Sequence, residues 1–312
     1  MSGHQAYYVP EQSSFAIVTA TSVAVMILGA ASTMNHMSYG TGNATLASFM
    51  LYVGFAAFLG SLFFWFKKAI AENLEGLNSA QLKRSYAIGM GWFIGSEVFF
   101  FASFFGALFY IRTLAGPWLA SDSEAIIWDG FQYAWPLMNT PQDAVGIANQ
   151  VQANVGVYTG PEQNMEFPGF KGLLTWIPFW NTACLLTSSV TVHMAHVALK
   201  NDNRKGFNLW LGVTLVLAFI FVGLQAFEYY EAYYHLGLKL DSGVYGSTFF
   251  MLTGFHGFHV CMGAIMLTVQ WLRSVMKGHF SHHDCFGFEA SSWYWHFVDV
   301  VWIGLVLFVY VL

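Results

Sequence analysis

The chain has 312 residues, 56% of them hydrophobic, 19% aromatic and only 9% charged; soluble domains carry about 25% charged residues, and no soluble fold of this length covers its surface with so few. A soluble globular protein is therefore excluded. The net charge of -5 comes without any basic patch or stripe, which excludes a nucleic-acid binder.

A helix needs about 20 predominantly apolar residues to cross the hydrocarbon core. Seven segments qualify, at roughly 15–36, 45–66, 85–112, 173–199, 206–234, 244–272 and 286–312, so the expected fold is all-α, an integral membrane seven-helix bundle. The N-terminus, MSGHQAYYVPEQSS, lacks the basic start of a cleavable signal peptide, and the first span is expected to stay in place. Lys67, Lys68, Lys83 and Arg84 follow the second span, Lys200, Arg204 and Lys205 the fourth, and Arg273 and Lys277 the sixth. The other side has only Arg112, Lys171 and Lys239. By the positive-inside rule the N-terminus is cytoplasmic (or in the matrix) and the C-terminus outside.

In the third span Glu97 is the only charged residue between Arg84 and Arg112, about 20 Å along the helix from its cytoplasmic end. A carboxyl at that depth needs a partner or a proton. Proton handling and structural hydrogen bonding between helices are both open readings. After this span an insertion, residues 115–170, carries Asp122, Glu124, Asp129, Asp143, Glu162 and Glu166 with no Lys or Arg. Its Pro, Gly, Asn and Gln content fits a solvated outer loop. No internal repeat is visible, and the spans do not split into the two corresponding halves of an inverted-repeat transporter.

The fourth span contains SSVT (Ser188 to Thr191) and the pair His193 and His196; small residues there suit close helix contact, as do Gly254 and Gly257 in the sixth. The fifth ends in EYYEAYYH, with Glu228, Glu231 and His235 on one helical face. An interfacial belt of tyrosines and carboxylates accounts for it without a metal. The sixth span carries His256 and His259, and the loop after it HFSHH, with His279, His282 and His283. The seventh holds Glu289, His296 and Asp299. Ionisable groups in a bilayer cost roughly 2.5–3.5 kcal/mol each on insertion scales, so they face a bundle interior, a partner or a proton path.

HFSHH has the form of the histidine boxes of membrane di-iron oxygenases, but the other pairs are only HxxH and lie at a different depth. A ferritin-like site needs two Glu-x-x-His motifs, which are absent from the sequence. Haem needs only one histidine on each of two helices, and His256, His259 and His296 all lie near mid-depth; hydrogen bonding of buried imidazoles is the competing account. Cys184, Cys261 and Cys285 form no CxxC pair and read as small buried residues.

The segments GSEVFFFASFFGALFY (95–110), NTACLLTSSVTVHMAH (181–196), LQAFEYYEA (224–232), YGSTFFMLTGFHGFHV (245–260) and FGFEASSWYWHFVDVVW (286–302) resemble cytochrome c oxidase subunit III of the haem–copper oxidases, in order over spans three to seven. The first two spans resemble the family in hydropathy and in the end Trp65, Phe66, Lys67. Having them favours the cytochrome c oxidases over their quinol oxidase relatives. The resemblance implies a two-helix part, 1–84, and a five-helix bundle, 85–312, forming a V-shaped cleft that holds phospholipids beside subunit I. It implies a non-catalytic accessory chain without cofactors, haem a and copper residing in subunits I and II. Electrons would come from cytochrome c, directly or within a supercomplex.

By the same resemblance Glu97 is the family's intramembrane glutamate, associated with proton uptake and turnover stability of subunit I. Arg273 matches an arginine that pairs with a lipid phosphate, as its charge suits, while Trp65, Lys67 and Glu72 match a lipid-contacting helix end. Glu228, Glu231, Glu289, His256, His259, His296 and Asp299 match family positions and are read as buried polar pairing between helices. The family's shorter mitochondrial chains lack a counterpart of 115–170, which points to a bacterial inner membrane with the insertion in the periplasm. A histidine-box di-iron membrane oxygenase and a proton-coupled transporter remain as alternatives.

Overall fold

The computed structural model describes residues 13–119, 133, 135–136, 167–240, 242–281 and 284–312. Seven of its helices are long and apolar enough to cross a membrane: α1 (Phe15–Tyr39), α2 (Ala44–Leu74), α3 (Ala80–Tyr110), α4 (Ile177–Lys200), α5 (Arg204–Tyr234), α6 (Gly243–Lys277) and α7 (Phe286–Leu305). Both α3 and α7 run on into a wider π turn, Ile111–Ala115 and Val306–Val311. The protein is an all-α membrane protein with no named strand among the described residues. The acids of the insertion, together with His282 and His283, lie outside the described residues.

Helix ends follow local chemistry. Asn43 and Asn203 cap α2 and α5, their side chains accepting from Leu46 N at 3.1 Å and Gly206 N at 3.0 Å; such caps satisfy amides that have no intrahelical partner. Gly40 and Gly278 close α1 and α6 at φ 66° and 62°, a left-handed conformation that glycine adopts without strain. Proline enters α4 only in its first turn, at Pro178, where no backbone N–H is needed.

The chain divides into two compact units, Met1–Ile88 and Gly89–Leu312. In the first, α1 and α2 pack through small residues. Cβ atoms built on Gly29 and Gly54 would stand 2.3 Å from Leu51 N and 2.5 Å from Met26 N, so the two backbones meet where side chains are absent, as membrane helices do. Thr19 Oγ1 donates to Ser61 Oγ at 3.0 Å, and Phe15 stacks on Trp65.

The second unit holds the core. Its largest fully buried side chains include Trp295 and Trp302 on α7, Phe207 and Phe221 on α5, and Phe249 on α6. The most enclosed helix is α7: half of its most apolar stretch is buried, 50% against 33% for α4 and α5. That burial explains how one helix can carry so many polar side chains, because each faces a neighbour that can bond it.

Candidate functional site

Among the described residues of the second unit, four groups contain most of the ionisable side chains singled out in its spans. At the first, α3 presents Glu97 to His259 on α6, Oε2 to Nε2 at 2.9 Å. The other ring nitrogen of His259 lies 2.6 Å from the carbonyl oxygen of Phe255, one turn earlier. Phe101 packs edge-on to the imidazole at 5.0 Å and Tyr294 of α7 stacks on it at 6.2 Å. His256, also on α6, points elsewhere: its Nε2 is 3.2 Å from Val298 O, its ring lies against Phe221 and Trp302, and its buried Nδ1 has no hydrogen-bond partner.

The second group joins α4 to α7. Ser189 Oγ lies 2.7 Å from His296 Nδ1 and donates to Asp299 Oδ2. Beside it Trp295 Nε1 donates to Ser188 Oγ at 2.9 Å and Trp302 Nε1 to Thr182 Oγ1 at 3.0 Å. Two of the small residues expected only to admit close helix contact thus also accept hydrogen bonds or bridge, and Thr191 reaches Thr214 on α5 at 2.8 Å. Asp299 is buried, but the His296 side chain remains 42% exposed.

In the third, on α5, Glu228 is buried and receives the Tyr310 hydroxyl at 2.6 Å and the Asn181 amide at 3.4 Å. Glu231 behaves differently. Its recorded partner is His235 on the same helix, at 3.9 Å, and its side chain is 38% exposed. Glu231, expected with the others as buried polar pairing between helices, thus does not pair across helices among the described residues and stays open beside the exposed Tyr230, Tyr233 and Tyr234, while Tyr229 bonds Thr253 on α6 at 2.6 Å and Glu228 turns into the bundle. Both carboxyls line a cavity with Trp176 and Leu236.

The fourth group sits where α4 ends and α7 begins. Glu289 Oε1 receives Lys200 Nζ at 2.8 Å and lies 3.2 Å from His196 Nε2 and 3.3 Å from Cys285 Sγ. Burial holds the Cys285 thiol above its ordinary value, with Lys200 pulling the other way. Near the end of α6, Arg273 donates to Gln270 Oε1 at 2.9 Å and lies over the Phe280 ring, while its buried Nε has no acceptor. His279, in the following loop, is held below its ordinary value by burial and by the charges of Arg273 and Lys277.

In the first unit Trp65 and Lys67 are exposed near the end of α2, and Glu72 pairs with Lys68 at 4.0 Å. Sequence reasoning passed over Asn181, Tyr310 and Gln225, whose Oε1 receives the Asn181 amide at 3.4 Å, and read Lys200 only as a charge that sets topology. Two amides inside apolar spans are a visible signal; a tyrosine near a helix end is not. Among the described residues no cluster of three or more His, Cys, Asp or Glu is disposed to hold a metal ion.

The family described as Cytochrome c oxidase subunit III matches residues 4–120 and 171–312. The chain belongs to that family. Its cytochrome c oxidase subunit 3 relative in Loxodonta africana is 36% identical over 262 residues, covering 84% of this chain and 83% of the relative. The relative in Scyliorhinus canicula is 34% identical over 310 residues and 98% of each chain. The unmatched stretch of the family description, 121–170, falls within the expected insertion. All four polar groups lie on residues that the family description covers.

Proposed function

We propose that this chain is the non-catalytic accessory subunit III of a proton-pumping cytochrome c oxidase, seated against subunit I, with subunit II in the same complex and haem a and copper on those partners. The observation that carries this reading is the family match over both the two-helix and the five-helix regions. Support for a proton-related role comes from Glu97, a carboxyl deep in an apolar helix and paired to an imidazole rather than to a permanent cation. Retention of structural phospholipids is supported by Arg273 at one helix end and by the Trp65, Lys67 and Glu72 side chains at another. The insertion and the distribution of basic residues favour a bacterial inner membrane, N-terminus in the cytoplasm and C-terminus in the periplasm.

The test is mild-detergent affinity purification of the chain, with reduced-minus-oxidised spectra and metal analysis before and after the subunits are separated. Haem a and copper should co-purify and then leave with the partners. Iron retained by the isolated chain overturns the reading in favour of a histidine-box oxygenase. Proton-coupled transport by the chain alone in vesicles overturns it in favour of a transporter.

A further inference from the structure

We infer that Glu97 and His259 hold one mobile proton in common and exchange it as a unit, with His259 as the positioning residue that fixes where the proton resides. This rests on the reading that the chain supports proton uptake.

A backbone carbonyl only accepts, so the 2.6 Å approach of His259 Nδ1 to Phe255 O places a hydrogen on Nδ1. Nε2 of the neutral ring is then a lone pair, aimed at Glu97 Oε2 from 2.9 Å. A carboxylate facing a lone pair at that distance would be two acceptors with nothing between them. A second proton must occupy the contact, either as a carboxylic acid donating to Nε2 or as an imidazolium donating to the carboxylate. Both forms have zero net charge over the two residues, which is what an apolar setting tolerates.

The surroundings leave the pair to itself. On α3 the hydroxyls of Ser96 and Ser103 are turned back to carbonyls of their own helix. The Tyr294 phenol of α7 is the titratable group packed on the imidazole. Asp299 and His296, also on α7, are engaged with Ser189, and His256 with Val298 O. Among the described residues no Lys or Arg lies within ion-pair distance of Glu97. The side chain of His259 is 8% exposed and that of Glu97 is 22%, so the carboxyl is the more open member of the pair and the one through which a proton is exchanged. In that step the O–H bond of Glu97 that breaks is replaced at once by one formed with an incoming proton, the imidazole keeps its Nδ1 hydrogen, and the contact is never left without a proton. No electrons move.

The experiment uses the assembled oxidase in membranes with E97Q, H259Q and the double variant. The amide of H259Q can donate to Glu97 but cannot accept the shared proton. Residues that act through one contact are not additive. E97Q and H259Q are therefore expected to lower the rate of turnover by similar factors, and the double variant to add nothing. Infrared spectra should show a carboxyl band that E97Q abolishes and H259Q shifts. A wild-type band position and turnover rate in H259Q overturn the pairing while leaving the proton-uptake reading intact. A wild-type rate in E97Q, in an intact complex, overturns the proton-uptake reading, and the infrared band then decides the pairing alone. Should H259Q fail to assemble, E97Q with ring-labelled histidine reads the same contact: imidazole bands identical to wild type overturn the shared proton.

Discussion

Tyr310, in the last turn of the chain, donates its hydroxyl to Glu228 on α5 at 2.6 Å, and both residues are buried. The contact ties the chain's end to a helix that left the core long before it in sequence. Removing the hydroxyl by Tyr310→Phe leaves the carboxyl with the Asn181 amide alone, at 3.4 Å. A buried polar group deprived of a partner costs about 1–3 kcal/mol. The thermal midpoint of the purified chain in detergent should fall accordingly, and Glu228→Gln, which keeps an acceptor for Tyr310, should cost less. Wild-type stability in Tyr310→Phe would show that the hydrogen bond does not hold this contact.

Gly29 and Gly54 stand against the backbones of α2 and α1. An alanine at either has no flexible neighbour to displace, so the helices must separate; overpacking of this kind costs typically 1–3 kcal/mol. Gly257 on α6 meets nothing within 4 Å, and there alanine gains helix propensity without a clash. Gly29→Ala should therefore make the α1–α2 pair more susceptible to proteolysis, with Gly257→Ala at wild-type resistance or above. Equal resistance in all three proteins would show that α1 and α2 do not depend on this approach.

The lipid reading of Arg273 makes a separate prediction. A guanidinium near a membrane surface attracts anionic head groups by about 1 kcal/mol per charge. Arg273→Ala should lower the anionic phospholipid that co-purifies with the complex, measured by mass spectrometry of extracted lipid, while Arg273→Lys retains most of it. Unchanged lipid content in Arg273→Ala would assign the residue to Gln270 and Phe280 alone, its present neighbours.

The spans were legible in the sequence because hydrophobic length is a one-dimensional property. Their ends were less so. The second span was expected to stop near 66, yet α2 continues to Leu74 through Lys67, Lys68 and Glu72, because charged, unbranched residues continue a helix beyond the hydrocarbon. Likewise α3 begins at Ala80, ahead of the expected 85. Partners were legible only where helical spacing supplies them, as for Glu231 and His235. The bond from Tyr310 to Glu228 and that from His259 to Glu97 join residues on helices far apart in sequence. No local period contains either one. Glu228 and Glu231 share a helical face in projection, but near the end of α5 that face passes from buried to open. Their fates diverge there.

His279 lies in the loop between α6 and α7, outside the spans, and its folded value is below the ordinary one. Imidazole in an unfolded chain titrates near about 6.5. Between that value and the lower folded one, the unfolded chain binds more protons than the folded chain, so stability rises with pH across this window. Below the folded value both states are protonated and the contribution becomes constant. The midpoint of thermal unfolding, read at a fixed scan rate, should thus fall as the pH is lowered from about 8 to about 5.5, and His279→Gln should lose part of that fall. The variant's advantage should be largest at the acid end, where burial and the charges of Arg273 and Lys277 oppose the imidazolium. A variant whose midpoint tracks wild type in parallel across the range would show that His279 does not titrate with folding.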